Sequence, residues 1–399
     1  MRFLGIKIHG GYTSEAHVFS SLLAHRETSY DAAVLYHTVS DITDTASAFE
    51  HDARVTVTRI DAGLRVGLTD PLLPVKKLAS IVHFRAALPR LLELARNVQP
   101  DVIYSSQQPW DCAAASYLAR RLHKPQIIHL HYSIGPWLRT GFSSNPRAFA
   151  ALSTALGLAN PLDRLLACDH VVAISDYIRD EAIHHGVVPE CVTTIHNTIT
   201  PSPLAHGQRA GIRTELGVPT DAPVIGIVGR LDPDKGHEDT LKAFISIAST
   251  YPDAYLIIVG DGPRFVMIQE EARRAGLGER VLLTGWRPDV PRLLAAIDIF
   301  AHPSRREPFG LAVIEAMAHG LPVVAYAEGA MLEIVVQGET GLLAPPGNIA
   351  AMAGYFAKLI DDRGLARGMG ARGRKNIATN FKPEDAAHAF FKVLQHVAC

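Results

Sequence analysis

Short apolar runs rich in Val, Ile and Leu alternate along this chain with longer stretches whose apolar residues recur every three or four positions. In the first half the runs predict strands at 3–9, 32–36, 55–60, 101–105, 126–131, 170–174 and 192–196. Helical patterns lie between them at 14–25, 75–97, 110–122 and 176–185. The series restarts with strands at 223–228, 254–259, 281–284, 297–301 and 322–326, and helices at 236–249, 263–275, 290–296 and 310–319. Such alternation predicts an α/β protein with doubly wound parallel sheets. The turn- and Pro-rich stretch Asn197-Thr198-Ile199-Thr200-Pro201-Ser202-Pro203-Leu204 carries no period and reads as a linker. Two Rossmann-like domains are therefore expected, 1–200 and 205–380. A last helical pattern at 383–397 is free to return to the first, which would then also hold 381–399. Sheets of this kind bind ligands beyond the carboxyl ends of their strands, and two facing domains would enclose a cleft.

Composition narrows the class. The length of 399 residues suits two domains of ordinary size. Lys plus Arg number 39 against 40 Asp plus Glu, which argues against nucleic-acid binding through bulk charge. Cys112, Cys168, Cys191 and Cys399 lie far apart, with neither metal-ligand spacing nor a disulfide framework. The apolar start at Met1–Ile6 is short and interrupted by Lys7, and no run reaches the ~18 apolar residues of a membrane span. A cytoplasmic protein is expected, with peripheral contact to a membrane surface left open.

Candidate chemistry gathers after the strands. Gly229-Arg230-Leu231-Asp232-Pro233-Asp234-Lys235-Gly236 places two cations on a Gly-bounded turn before a helix. A guanidinium fork and an ammonium beside helical N–H groups suit a diphosphate; two solvated surface cations are the alternative. In the stretch from Pro303 to Gly320, Gly310 and Leu311 would offer free N–H groups at a helix start. Glu307 beside them could hydrogen-bond sugar hydroxyls or stabilise positive charge at an anomeric carbon. The competing reading is a capping box with Ser304, which Pro308 and Gly310 oppose. Glu315 lies within the apolar helix that follows; its alternative is a position facing solvent. Gly260-Asp261-Gly262-Pro263 is half a dinucleotide fingerprint, better explained as a tight turn with Pro at the first helical position. Asp232 and Asp234 sit beside Lys235 and are not read as metal ligands. Gly10 and Gly11 after the first strand allow close approach to a ligand. His129 and His131 are read as pointing to opposite faces, with His131 the one able to reach the cleft.

These residues together resemble family 4 of the retaining glycosyltransferases, which have the GT-B fold. The family pattern G-R-L-x-x-x-K-G is met by Gly229 to Gly236, V-G-x-G-P by Val259 to Pro263, and P-S-x-x-E-x-F-G-L-x-x-x-E-A-M-A-x-G-x-P-V-V-A by Pro303 to Ala325. The resemblance covers most of the second domain; in the first it rests on layout, the Gly pair and a histidine. It implies a nucleotide-diphosphate sugar donor, by expectation a UDP-sugar, and a small-molecule, lipid-linked or saccharide alcohol as acceptor. It further implies that Arg230, Lys235, Gly10 and Gly11 meet the diphosphate, and that Glu307 and His131 meet the sugar. The N–H groups of Phe309, Gly310 and Leu311 would hold sugar and phosphate. Glu315 would hold the ribose, and the loop of Gly285, Trp286 and Arg287 would face the base through its backbone. No metal and no other cofactor is expected, and the departing phosphate would take the acceptor proton. Two departures stand out. Ala330 replaces a frequent glycine and would add a methyl near the sugar, and Asn197-Thr198-Ile199-Thr200 replaces N-G-V-D. Rival readings are a nucleotide-sugar epimerase or hydrolase on this fold, and a silent nucleotide-binding subunit.

Overall fold

The computed structural model describes residues 2–7, 31–36, 55–59, 73–107, 109–135, 161–199 and 208–399. The predicted helix at 14–25, Gly10, Gly11 and most of the linker fall outside them. The chain divides into two compact units, Met1–Asn197 with Pro383–Cys399, and Thr198–Lys382.

Among the described residues the first unit holds seven parallel strands: β1 (Arg2–Lys7), β2 (Asp31–Tyr36), β3 (Val55–Arg59), β4 (Val102–Ser106), β5 (Gln126–Leu130), β6 (His170–Ala173) and β7 (Val192–Thr194). Their order is β3-β2-β1-β4-β5-β6-β7, with Phe3 opposite Val102 and Leu4 opposite Ile103 where the winding reverses. The described helices between them are α1 (Leu73–Val98), α2 (Pro109–Leu122), α3 (Pro161–Leu166) and α4 (Asp176–His184). Strands β4, β5 and β6 are buried on both faces, as parallel strands covered by helices must be. Phe84, Leu91 and Ala95 of α1 and Ala114 and Leu118 of α2 pack with Leu4 and Ile103.

The second unit repeats the plan. It contains α5 (Gln208–Glu215), β8 (Val224–Val228), α6 (His237–Ile247), β9 (Tyr255–Val259), α7 (Phe265–Arg274), β10 (Val281–Gly285), α8 (Val290–Leu294) and β11 (Ile299–His302). After these come α9 (Leu311–Ala318), β12 (Val323–Tyr326), α10 (Met331–Ile334), β13 (Gly341–Ala344), α11 (Ile349–Asp361) and α12 (Arg363–Asn380). The strand order β10-β9-β8-β11-β12-β13 reverses between β8 and β11. In this unit the sequence pattern missed α5, α10, β13, α11 and α12. Helix α12 contains four glycines and reads as a loop by propensity. Packing explains it: a Cβ on Gly370 would lie 1.8 Å from the Gly320 carbonyl oxygen, so only glycine lets α12 close on the end of α9. Helix α5 carries Arg213, wholly buried, whose guanidinium donates to the carbonyls of Ala296, Pro219, Thr220 and Ala222 and to Asp298.

The last helix, α13 (Pro383–Ala398), belongs to the first unit. Its Ala387, Phe390 and Leu394 join Val102, Tyr104, Ile127 and Val172 in one core. Among the described residues, no helix is long and apolar enough to cross a membrane.

Candidate active site

In the second unit the loops after β8 and β11 leave the sheet side by side, because these two strands flank the reversal. Hydrogen bonds and close backbone contacts then stitch four loops together. Gly229 N–H donates to Val259 O at 3.0 Å, Leu231 N–H to Asp261 O at 2.9 Å, and Gly260 N–H to Gly285 O at 2.9 Å. A Cβ on Gly260 would stand 2.0 Å from Gly229 O, so the glycines of the β9 turn brace the β8 loop. Pro263 precedes the cap of α7 at Arg264 and is not its first residue. Across the reversal, Arg305 N–H donates to Asp234 O at 2.8 Å. Gly236, in the left-handed region, leaves no room for a side chain against Pro303 O, 2.2 Å from an added Cβ.

These contacts bring Lys235 to Glu307. The loop 303–310 is irregular and α9 begins at Leu311, so no helix starts at Ser304 and the capping-box alternative fails. Glu307 is buried, and its Oε2 accepts from Lys235 Nζ at 2.9 Å and from His302 Nε2 at 3.1 Å. Burial works to raise this carboxyl. The His302 hydrogen bond, the Lys235 and His302 charges and the nearby Ser304 hydroxyl outweigh it and hold Glu307 well below the usual carboxylate range. For Lys235, burial works to lower the ammonium, but Glu307, Asp234 and Asp232 raise it overall. The backbone of Glu307 is pinned as well. Its carbonyl accepts from Ala330 N–H at 3.0 Å, and Gly329, with φ of 61°, fits against it where a Cβ would meet that oxygen at 2.5 Å. Ala330 itself is fully buried. The preceding Arg306 is held at φ 53°, an uncommon conformation for a side chain-bearing residue.

The other expected donor contacts differ in exposure and in partners. Arg230 extends into solvent, with its side chain 73% exposed and its Nε donating to Asp232 Oδ2 at 2.7 Å. Phe309 is buried and packs edge-on against Phe381, so only its backbone is available to a ligand. Gly310 caps α9. The N–H groups of Gly310 and Leu311 donate to no described acceptor, as expected for the first groups of a helix. Glu315 lies on α9 and is half-buried rather than facing solvent; burial alone pushes its carboxyl up to about 7, and among the described residues no cation pairs with it. Trp286 is 73% exposed. The Gly285 carbonyl is already taken by Gly260, which limits what the backbone of this loop can offer a base. Arg287 is tied to Asp289 and Glu215.

The first unit holds His131, just beyond β5 at the carboxyl edge of its sheet. His129 and His131 do not point to opposite faces: their rings lie 4.2 Å apart, because residues two apart in an extended chain share a face. Both are buried. His129 Nδ1 bonds the Tyr104 hydroxyl at 2.8 Å and its ring stacks on Phe390 of α13, which makes it a structural residue. The N–H groups of His131 and Tyr132 both donate to Gln107 Oε1, at 2.9 and 2.8 Å. Sequence reasoning missed Gln107 and also His302, which gave no signal apart from its place before Pro303.

Comparison with known proteins agrees with this architecture. Residues 33–202 match Glycosyltransferase Family 4 and residues 208–376 match Glycosyl transferases group 1. The 2-deoxystreptamine N-acetyl-D-glucosaminyltransferase of Streptomyces fradiae is 30% identical over 328 residues, 76% of this chain and 75% of its own. The N-acetyl-alpha-D-glucosaminyl L-malate synthase of Bacillus anthracis is 29% identical over 294 residues, 69% and 76% of the two chains. The HepE protein of Anabaena, solved with UDP, superposes with a TM-score of 0.76 at 22% identity, covering 99% of this chain and 100% of that one. Such a likeness carries the fold, and the sequence matches carry the family. The chain belongs to the group 1, family 4 glycosyltransferases and is an enzyme of glycosyl transfer built on the GT-B fold.

Proposed function

We propose that this enzyme takes a UDP-sugar as donor, works without a metal ion and retains the anomeric configuration on transfer to an alcohol. The observation that carries the reading is the Lys235–Glu307 pair, set beside the N–H groups of Gly310 and Leu311 where the sheet reverses. Lys235, Arg230 and these N–H groups take the diphosphate, and Glu307 takes the sugar. Glu315, a half-buried carboxyl with no cationic partner among the described residues, takes the ribose hydroxyls, and Trp286 and Arg287 border the base. Gly10 and Gly11 are assigned to the donor diphosphate, the acceptor to the first unit, and a contact with the sugar to His131. As the bond from C1 to the diphosphate oxygen breaks, a bond from C1 to the acceptor oxygen forms on the same face. The acceptor proton passes to the departing phosphate. Glu307 stabilises the positive charge at C1, and the cations stabilise the negative charge leaving it. HepE, solved with UDP-glucose, supports the choice of nucleotide. Relatives named for transfer to L-malate, 2-deoxystreptamine and inositol 3-phosphate support a small polar acceptor.

The test offers UDP-glucose, UDP-N-acetylglucosamine and GDP-mannose in turn with L-malate, 2-deoxystreptamine or inositol 3-phosphate. Nucleotide release, product anomeric configuration by NMR and UDP calorimetry are read. UDP-sugar consumption that requires acceptor and gives a product of the donor's own anomeric configuration is expected. Equal release without acceptor would point to a hydrolase, an inverted product would refute retention, and no measurable UDP binding would overturn the donor assignment.

A further inference from the structure

The hydrogen bonds that Lys235 and His302 give the Glu307 carboxylate fall on one oxygen. Lys235 Nζ and His302 Nε2 reach Oε2 at 2.9 and 3.1 Å, and Oε1 receives neither. The two donors stand on different supports. Lys235 ends a short 3-10 turn on a loop. His302 is the last residue of β11, in register with Ala325 of β12, buried, and stacked on Phe300 at an interplanar angle of 13°. Glu307 is ionised, so it can only accept, and Nε2 of His302 therefore carries the proton.

In the unliganded protein either donor would hold Oε2. That redundancy ends once a diphosphate competes for the ammonium of Lys235, a flexible point charge. We infer that His302 is a positioning residue for transfer, holding Glu307 by Oε2 from the sheet so that Oε1 remains the oxygen presented to the sugar. This rests on the reading that Glu307 meets the sugar. A carboxylate fixed by one oxygen cannot rotate its charge away from C1 when Lys235 turns to phosphate. His302 thus contributes to turnover through Glu307, with little part in donor affinity.

The experiment makes His302→Leu and His302→Gln, each alone and combined with Glu307→Gln. Turnover is read on the donor and acceptor pair found above, UDP affinity by calorimetry, and folding by circular dichroism and melting temperature. The protonated nitrogen of His302 is read by NMR of the 15N-histidine-labelled protein without ligand. His302→Leu is expected to lower kcat about tenfold or more while UDP affinity changes less than about twofold. His302→Gln, which restores an N–H donor, should recover most of the loss. In the Glu307→Gln background His302→Leu should cost almost nothing further, because its route is already broken. The NMR should show protonated Nε2, and a signal that moves in Glu307→Gln. A full additional loss in the double mutant, an unchanged kcat in His302→Leu, or a proton on Nδ1 alone would each overturn the inference. Slow turnover in Glu307→Gln with normal turnover in His302→Leu would sink only the role of His302. Normal turnover in Glu307→Gln would instead sink the reading beneath it.

Discussion

The ammonium of Lys235 lies 2.9 Å from Oε2 of Glu307, although 72 positions separate them in sequence. Neither residue alone announces a site. Together they place a cation and a carboxylate where a leaving group and a sugar would need them. Lys235→Ala is expected to weaken UDP binding about tenfold or more and to lower kcat as well, since the diphosphate gains charge as it leaves. Calorimetry and steady-state kinetics with varied donor check this; unchanged values in both would remove Lys235 from the diphosphate.

Metal independence follows from the same proposal. If Lys235, Arg230 and the N–H groups at the start of α9 supply the positive field, activity should persist in excess EDTA. Loss of activity with EDTA, restored by Mn²⁺ or Mg²⁺, would refute it.

The two glutamates should separate kinetically. On the proposed roles Glu307 would face charge that develops only as the glycosidic bond stretches, so Glu307→Gln should lower mainly kcat. Glu315 would meet ribose hydroxyls that change little during transfer, so Glu315→Gln should raise mainly the donor KM. The reverse pattern would exchange the roles or void them.

Glu315 also predicts a pH dependence. Burial raises its carboxyl from 4.5 to about 7, so the folded protein binds this proton more tightly than the unfolded chain. Its contribution to stability is therefore fully present below about 4.5 and is lost as pH rises through about 7. Glu315→Gln removes the charge that burial disfavours. It should stabilise the protein by about 1–3 kcal/mol at pH 8, with the gain shrinking toward pH 5. Urea melts of both proteins at the two pH values measure this, and a gain independent of pH would contradict it.

Arg213 offers a prediction about stability alone. Its guanidinium satisfies four backbone carbonyls and Asp298. Arg213→Met should cost about 3 kcal/mol or more, because those acceptors lose their donors in the interior. UDP affinity measured on the folded protein should not change. A melting temperature equal to that of the parent would show that the carbonyls find other donors.

Much of this was legible in the sequence, and the gaps have physical causes. The described strands other than β13 could be placed because buried parallel strands read as continuous apolar runs, as Val224–Val228 and Tyr255–Val259 do. Helix α12 could not, since its Gly370 serves contact with Gly320 and propensity sees only the cost of glycine. Of the site, Arg230, Lys235, Glu307 and Glu315 could be named from motif spacing. The joining of Lys235 to Glu307 could not, because it depends on strand order, with β8 next to β11. His302 was hidden for the same reason: a histidine ending a strand looks alike whether or not a carboxylate folds back onto it. The shared face of His129 and His131 follows from the two-residue period of an extended chain alone.

Helix α13 has a consequence for how the enzyme is made. The core around Tyr104 and Val172 needs Phe390 and Leu394, and those residues leave the ribosome only after the whole second unit. The half that is translated first must therefore wait, its β4–β6 face uncovered, until translation has passed residue 394. Pauses or truncations late in the message should leave a folded second unit attached to an aggregation-prone first unit.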